Sequence, residues 1–407
     1  MRRVVVTGCG VVSSLGHSVQ AAFGRLKTLR NCVEVSEDLA GYRGLQTCLW
    51  APCKFERPPE YTRKVVRTMS PVSMMALNAT EQALAQAGLS DDPVLKGGRT
   101  GVAYGSCSGS VDANLDFTSV VASREIKNVT SSTYIKMMAH TCAVNLSVHF
   151  GTTGRLLPTG TACTSGSLAI GESYESILSG RQDVMIAGGA EEFSVTQVAV
   201  FDTLFATSRR NGEPDATPRA FDSSRDGLVI GDGAATLILE EREHALARGA
   251  TPLAEVVGFG LNTDGRHVTQ PNSETQARAI ELALEDARLG AGDIGYINAH
   301  GTATELGDIT EGQAIASVFG AGGPPISTIK GYTGHTLGAC GALEAALTIE
   351  MMRNGWFAPN LNLENPDPRC GEHDYITGAG RSFETEFAMT NNFAFGGVNT
   401  SIILRRA

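Results

Sequence analysis

Residues 158–167 read Pro158-Thr-Gly-Thr-Ala-Cys163-Thr-Ser-Gly-Ser167, and an amphipathic run follows to Gly180. Residues 334–344 read Gly334-His335-Thr-Leu-Gly-Ala-Cys-Gly-Ala-Leu-Glu344, and a similar run follows to Gly355. Each stretch is a Gly/Ala-rich helix start, an amphipathic body and a glycine stop. Each also follows a strand and a loop bearing a reactive residue. The echo predicts an α/β chain of two similar halves, residues 1–250 and 251–407. The charged, helical region around Glu240–Ala250 holds no Pro/Ser-rich linker, so the halves are expected to pack closely. Cys163 is expected in the first turn of its helix, where the peptide dipoles and unpaired N–H groups favour thiolate.

Working outward, the chain has 407 residues, 42% hydrophobic and 19% charged, which describes a globular, well-buried protein. Forty-seven glycines point to tight loops and close backbone contacts. A net charge of −10 argues against general nucleic-acid binding. No window is apolar enough to span a membrane, and the opening Met-Arg-Arg-Val-Val-Val-Thr-Gly reads as a first strand rather than a signal peptide. Nine scattered cysteines, without a Cys/His set at zinc spacing, suggest free thiols and a cytoplasmic location.

Strands are expected at 3–7, 100–104, 183–187, 235–239, 253–259, 294–299, 326–329 and 400–404. Helices are expected at 18–29, 71–87, 163–179, 274–289, 308–319 and 337–354. Ser70, Pro71 and Gly88 bracket the second helix. Near-continuous apolar strands between helices imply buried, mainly parallel sheets. Gly8-Cys9-Gly10 follows the first strand, but Ser13 stands where a dinucleotide fingerprint needs its third glycine.

Three further motifs accompany Cys163. Asn298-Ala-His300-Gly-Thr302-Ala-Thr304 closes with Gly307-Asp308 and starts at a strand's carboxyl end, where α/β proteins place ligand sites. Lys330-Gly-Tyr-Thr-Gly-His335 precedes a helix, and Asn391-Asn-Phe393-Ala-Phe395-Gly-Gly-Val-Asn399 is a glycine-rich turn flanked by aromatics.

The order and spacing of these motifs resemble the β-ketoacyl-acyl-carrier-protein synthases, type I/II condensing enzymes of the thiolase superfamily, over essentially the whole chain. The resemblance implies a thiolase-like fold layered α-β-α-β-α. It implies a decarboxylative Claisen condensation, with Cys163 as the acyl-accepting nucleophile and His300 and His335 as donors to an enolate. Lys330 would be held by Glu344. The backbone N–H groups of Cys163 and Phe395 would form an oxyanion hole, and Phe395 would also gate the acyl pocket. Thr302 and Thr304 match contacts to phosphopantetheine. Asp264, His267 and Thr269 match a mobile loop near the mouth, and Phe393 is grouped with the substrate-binding residues. Neither metal nor cofactor is implied, since substrates ride on the pantetheine of an acyl-carrier protein. Arg63, Lys64 and Arg67, read as one face of a helix, and Arg210 match docking positions for that acidic carrier. A homodimer, or a heterodimer with a related ketosynthase or chain-length factor, is also implied.

Ser108, in Gly105-Ser-Cys-Ser-Gly-Ser110, replaces a branched apolar gate residue and predicts a wider acyl channel. It and the segments 61–69 and 391–403 look closer to synthases of bacterial aryl-polyene clusters. A thiolase would need a second catalytic Cys at the 393–399 turn, which has none; Cys340 reads as packing. A type III starter synthase pairs one His with an Asn, whereas this chain has two His motifs. A non-catalytic partner subunit would have lost Cys163.

Overall fold

The protein is described by a computed structural model covering residues 2–407. Ten strands build the main sheet. They are β1 (Val4–Ser13), β2 (Thr100–Gly105), β3 (Leu156–Pro158), β4 (Val184–Glu191) and β5 (Gly233–Glu241) in the first half of the chain. The second half supplies β6 (Ala254–Thr263), β7 (Ile294–Asn298), β8 (Ile326–Ser327), β9 (Phe387–Phe393) and β10 (Val398–Arg406). Their spatial order is β8-β7-β9-β10-β6-β1-β5-β4-β2-β3. Read outward from the β1–β6 junction, each half runs first strand, fifth, fourth, second, third.

The pairing is mixed, which corrects the expectation of mainly parallel sheets. β1 is antiparallel to both β5 and β6, and β5–β4, β6–β10 and β10–β9 are antiparallel too. Only β4–β2–β3 and β9–β7–β8 are parallel. The sequence mimics a parallel sheet because helices cover both faces, so the strands lose the polar alternation of a half-solvated sheet. β3 and β9 were not expected as strands: one is three residues long, and the other carries Thr390-Asn-Asn through its middle.

Side chains alternate between apolar layers along each strand. Val184 and Ile186 join α1 (Pro71–Ala87) and α2 (Thr141–Phe150), whereas Met185 and Ala187 face a central cluster. That cluster holds α3 (Ser165–Leu178) and α6 (Cys340–Asn354). Ile402 and Leu404 also enter it, while Ile403 and Met389 pack outward under α4 (Ser273–Ala287) and α5 (Glu305–Phe319). The result is the α-β-α-β-α layering of the thiolase-like fold.

Gly8 and Gly10 lie inside β1 and serve close packing: a Cβ there would stand 2.0 and 1.9 Å from carbonyl oxygens of α1. Gly258 and Gly260 of β6 meet α4 in the same way, at 2.4 and 2.0 Å. Ser70 and Gly88 flank α1 as expected, but the Ser70 side chain makes no capping bond. Arg63–Thr68 is a run of turns rather than a helix, so the basic residues share no helical face. Among the described residues, no helix is long and apolar enough to cross a membrane.

Candidate active site

Cys163 and His335 reach each other because the two halves present similar turns. A 3-10 turn, Ala162–Thr164, precedes α3, and another, Leu337–Ala339, precedes α6. Cys163 therefore sits in the turn before the helix, not in its first turn as expected. Both turns begin with a non-glycine residue in the left-handed region, Ala162 at φ +53° and Leu337 at φ +46°. Such strain persists where the surroundings fix it. Here the fixing contact is a backbone crossing. A Cβ on Gly166 would stand 2.8 Å from the Ala342 nitrogen, and one on Gly341 would stand 2.7 Å from the Ser167 nitrogen. With the helix starts in contact, His335 Nε2 lies 3.0 Å from Cys163 Sγ.

His300 follows the end of β7. Its loop is held from below by the buried Glu311 of α5, whose carboxylate accepts the His300 and Gly301 N–H groups, both at 2.7 Å. Asp308 accepts the Ala303 N–H at 3.0 Å and the Phe221 N–H at 2.7 Å. Burial pushes Glu311 up to about 8 and Asp308 up to about 6, against these bonds. The His300 and His335 rings meet edge to face, 5.2 Å apart.

The hydrogen bonds assign the tautomers. An ammonium can only donate, so Lys330 Nζ, 3.2 Å from His300 Nδ1, leaves the His300 proton on Nε2. The Leu337 N–H donates to His335 Nδ1 at 3.3 Å, which puts that proton on Nε2 as well. Burial and the Lys330 charge hold both rings well below the usual histidine range. Two neutral imidazoles thus aim N–H donors into one dry site. Burial works against the charge on Lys330, but the charge and hydrogen bond of its ion-pair partner Glu344, joined by Cys340 and Glu311, together outweigh it and hold the ammonium above the usual lysine range. Asn392 Nδ2 donates to Glu344 at 2.6 Å and approaches His300 Nδ1 at 3.4 Å.

Burial dominates at the nucleophile and pushes the Cys163 thiol up to about 11. Lys330 and the backbone N–H groups of Phe395 and Cys163 pull the other way without prevailing. The expectation of a resting thiolate is corrected accordingly. Those same two N–H groups converge on the sulphur, where an oxyanion would need them. Phe395 lies in the β9–β10 turn with Gly396 and Gly397 at φ +91° and +70°. Asp264 pins this turn: its N–H donates to the Gly397 carbonyl at 2.7 Å, and its carboxylate accepts from Asn399 at 2.7 Å. Phe395 packs against Phe201 with the rings tilted by 36° and their centroids 4.9 Å apart.

A cavity of about 420 Å³ runs to Cys163, His300 and His335. Thr302, Thr304, Asp264, His267, Thr269 and Phe393 line it, and Phe395 does too. The two threonine hydroxyls are 2.9 Å apart. Ser108 is not among the residues that line this cavity. Its hydroxyl donates to the buried Glu191 at 3.3 Å and accepts from Gln197 at 3.1 Å. Arg63, Lys64 and Arg67 are exposed. Arg210 is occupied within the chain by Glu213 at 3.3 Å and Asp226 at 3.6 Å.

Several site residues escaped the sequence reading: Asn392, Glu311, Glu191 and Cys340. Asn392 stood inside a motif already singled out, and its pairing with a buried ion pair was the missing fact. Glu191 binds the Cys107 N–H at 2.9 Å and the Gly338 N–H at 3.2 Å, tying the 106–108 loop to the turn after His335. Cys340 donates its thiol to the Cys163 carbonyl at 3.2 Å. Cys163, His300 and His335 bring their donor atoms within 4.8 Å of one another, a set that could hold a metal ion. The hydrogen bonds behind the two rings do not fit one. A ligating imidazole donates its other N–H outward, whereas both Nδ1 atoms here accept hydrogen bonds.

Comparison with known proteins agrees in family and fold. The family model described as Beta-ketoacyl synthase, N-terminal domain, matches residues 1–245, and the corresponding C-terminal domain matches residues 253–364. The chain is 35% identical over 408 residues to 3-oxoacyl-[acyl-carrier-protein] synthase 1 of Escherichia coli K12, covering 100% of this chain and 99% of the relative. It superposes on a crystal structure of a beta-ketoacyl synthase from Burkholderia phymatum with a TM-score of 0.98, at 55% identity and 100% coverage of both chains. The ishigamide ketosynthase/chain length factor matches with a TM-score of 0.90 at 29% identity, covering 100% of this chain and 99% of that one.

Proposed function

This chain belongs to the β-ketoacyl synthase family, and from that premise we propose that it condenses an acyl group held on Cys163 with malonyl-acyl-carrier protein. The observation that carries the reading is the pair of neutral Nε2–H donors, His300 and His335, set beside one buried thiol. In the first step Cys163 sulphur attacks an acyl-pantetheine thioester. The new S–C bond forms, the pantetheine thiol leaves, and the proton of Cys163 passes to it. The oxyanion between these states meets the N–H groups of Cys163 and Phe395. His335 donates to sulphur rather than taking its proton, because its Nδ1 is already an acceptor.

In the second step malonyl pantetheine occupies the same cavity, with Thr302 and Thr304 for its amides. The bond to the carboxyl carbon breaks and CO2 leaves. The negative charge moves to the thioester oxygen, between the two Nε2–H groups. The enolate carbon then attacks the acyl carbon, the S–C bond to Cys163 breaks, and the departing thiolate takes a proton from solvent to restore the resting thiol. The product is two carbons longer. Lys330, Glu344 and Asn392 act through His300, as positioning residues.

The partner reading is an acyl-carrier protein, approached over Arg63, Lys64 and Arg67. A dimer with itself or with a chain-length factor is supported by the open outer edge of β3 and the exposed Leu115, Val121 and Ile126 in the same half. Synthesis of aryl polyenes rather than fatty acids is the finer reading, and a cytoplasmic location goes with either. The Cys163→Ala and Cys163→Gln variants test the mechanism. Both should abolish condensation, and the Gln amide, standing in for the acylated thiol, should keep malonyl decarboxylation. Elongation of a primer by Cys163→Ala contradicts the assignment.

A further inference from the structure

Thr302 and Thr304 stand on a turn that the chain does not favour by itself. Gly301 and Ala303 are both left-handed, at φ +47° and +64°, and the Cβ of Ala303 resists that conformation. Thr304 is the N-cap of α5, where a threonine hydroxyl ordinarily accepts from the first helical N–H groups, yet its side chain makes no such bond. Its hydroxyl lies 2.9 Å from that of Thr302 instead, and both residues line the cavity. A strained residue and a forgone cap need a fixing contact from elsewhere in the fold.

Arg225 supplies it. Its side chain is only 1% exposed, and it is not among the residues that line the cavity. Nε donates to the Thr304 carbonyl at 3.2 Å and Nη2 to the Glu305 carbonyl at 2.9 Å. Nη1 donates to the Asp367 carboxylate at 2.7 Å and to the Asp222 carbonyl at 2.8 Å. Nε also stands 3.6 Å from Asp308, the carboxylate that accepts the Ala303 N–H. One planar guanidinium thus grips the two carbonyls after the strained residue and faces the group that holds its N–H. Burial raises the Asp308 carboxyl, and the Arg225 charge is the strongest influence pulling it back. The grip is anchored in turn. The Asp222 carboxylate accepts the N–H groups of Ser224, Glu364 and Asn365 at 2.8, 2.9 and 2.8 Å. Arg369 closes the ring by pairing with both Asp367 and Glu305, each at 2.8 Å.

We propose that Arg225 is a positioning residue for the pantetheine arm, holding the 301–305 turn so that the Thr302 and Thr304 hydroxyls meet the arm's amides. The inference rests on the condensing reading above, which sets those amides against the two threonines. Arg225 touches no substrate. Its effect passes through two hydroxyls, so it belongs to the binding of substrates that carry amides and not to the reactivity of Cys163. Lysine cannot replace it, because a single ammonium has no planar fork to span two carbonyls and a carboxylate.

The test is condensation kinetics of the full chain and of Arg225→Lys at saturating acyl primer. The varied substrates are malonyl-pantetheine and the malonyl thioester of ethanethiol, which carries no amide. For malonyl-pantetheine KM should rise about fivefold, the worth of one hydrogen bond, with kcat falling by less than about twofold. The loss in kcat/KM for the ethanethiol thioester should stay below about twofold. The double variant Thr302→Val/Thr304→Val should raise the same KM, and adding Arg225→Lys to it should cost nothing more, since the hydroxyls that Arg225 aims are gone. Equal losses for both thioesters, slower alkylation of Cys163 by iodoacetamide in Arg225→Lys, or a further loss in the valine background would give Arg225 a merely structural role and overturn the proposal. Where Arg225→Lys fails to fold, Asp367→Asn frees Nη1 but leaves the guanidinium in place. It should raise KM for malonyl-pantetheine and spare the ethanethiol thioester, and an unchanged KM there also overturns the proposal. Failure of the condensing reading shows separately, as a wild-type chain that releases no CO2 from malonyl-pantetheine.

Discussion

Lys330 meets His300 at 3.2 Å and is paired with Glu344, so one buried cation sets the tautomer of one histidine and adds to the burial that lowers the pKa of both. The sign of that effect predicts a pH profile. A histidine whose pKa lies well below 6.5 is neutral throughout the physiological range and takes a proton only as the pH falls further. Decarboxylation of malonyl-carrier by Cys163→Gln should stay level from about pH 8 to about pH 6, with no limb at the ordinary histidine value of about 6.5. A limb there contradicts the assignment of both rings as neutral donors. Cys163, His300 and His335 could be read from the sequence because each stands in a loop of distinctive composition before a helix. Glu191 could not: it bonds Gly338, 147 positions away, and nothing along the chain separates it from its neighbour Glu192 at the strand end. The burial that turns Cys163 into a resting thiol is likewise a property of packing, invisible in its neighbours along the chain.

At the scale of elements, α3 and α6 touch through Gly166 and Gly341, and this crossing sets the distance between nucleophile and His335. Gly341→Ala would place a methyl 2.6 Å from Asn392 Oδ1 and 2.7 Å from the Ser167 nitrogen. Overpacking of this kind costs about 1–3 kcal/mol. Denaturant unfolding should show that loss, and acylation of Cys163 should slow as the helix starts separate. Wild-type stability and rate in Gly341→Ala would mean the crossing is not what positions the site. Long helices with clear ends were legible: α1 spans Pro71–Ala87 as expected. Short or polar elements were not. β9 carries Thr390-Asn391-Asn392 where an apolar run would have marked a strand, and of these Asn392 serves the site through Glu344. The 3-10 turn at Cys163 was read as helix because it continues directly into one.

Across the whole molecule, the same strand order recurs on either side of the β1–β6 junction. Each half carries one left-handed residue in the turn that starts its central helix. The reactive groups lie at the meeting of these two turns, so neither half holds a complete site. The resemblance between residues 163–180 and 334–355 belongs to this scale, whereas the mixed strand directions needed the register. The most direct test of the account follows a single adduct. The intact protein is incubated with an acyl-carrier thioester, mapped by mass spectrometry, and then given malonyl-carrier. The account predicts one acyl group, on Cys163, which is discharged with one CO2 per product, the product being two carbons longer. An adduct on another residue, or one discharged by water with no CO2 released, would contradict it.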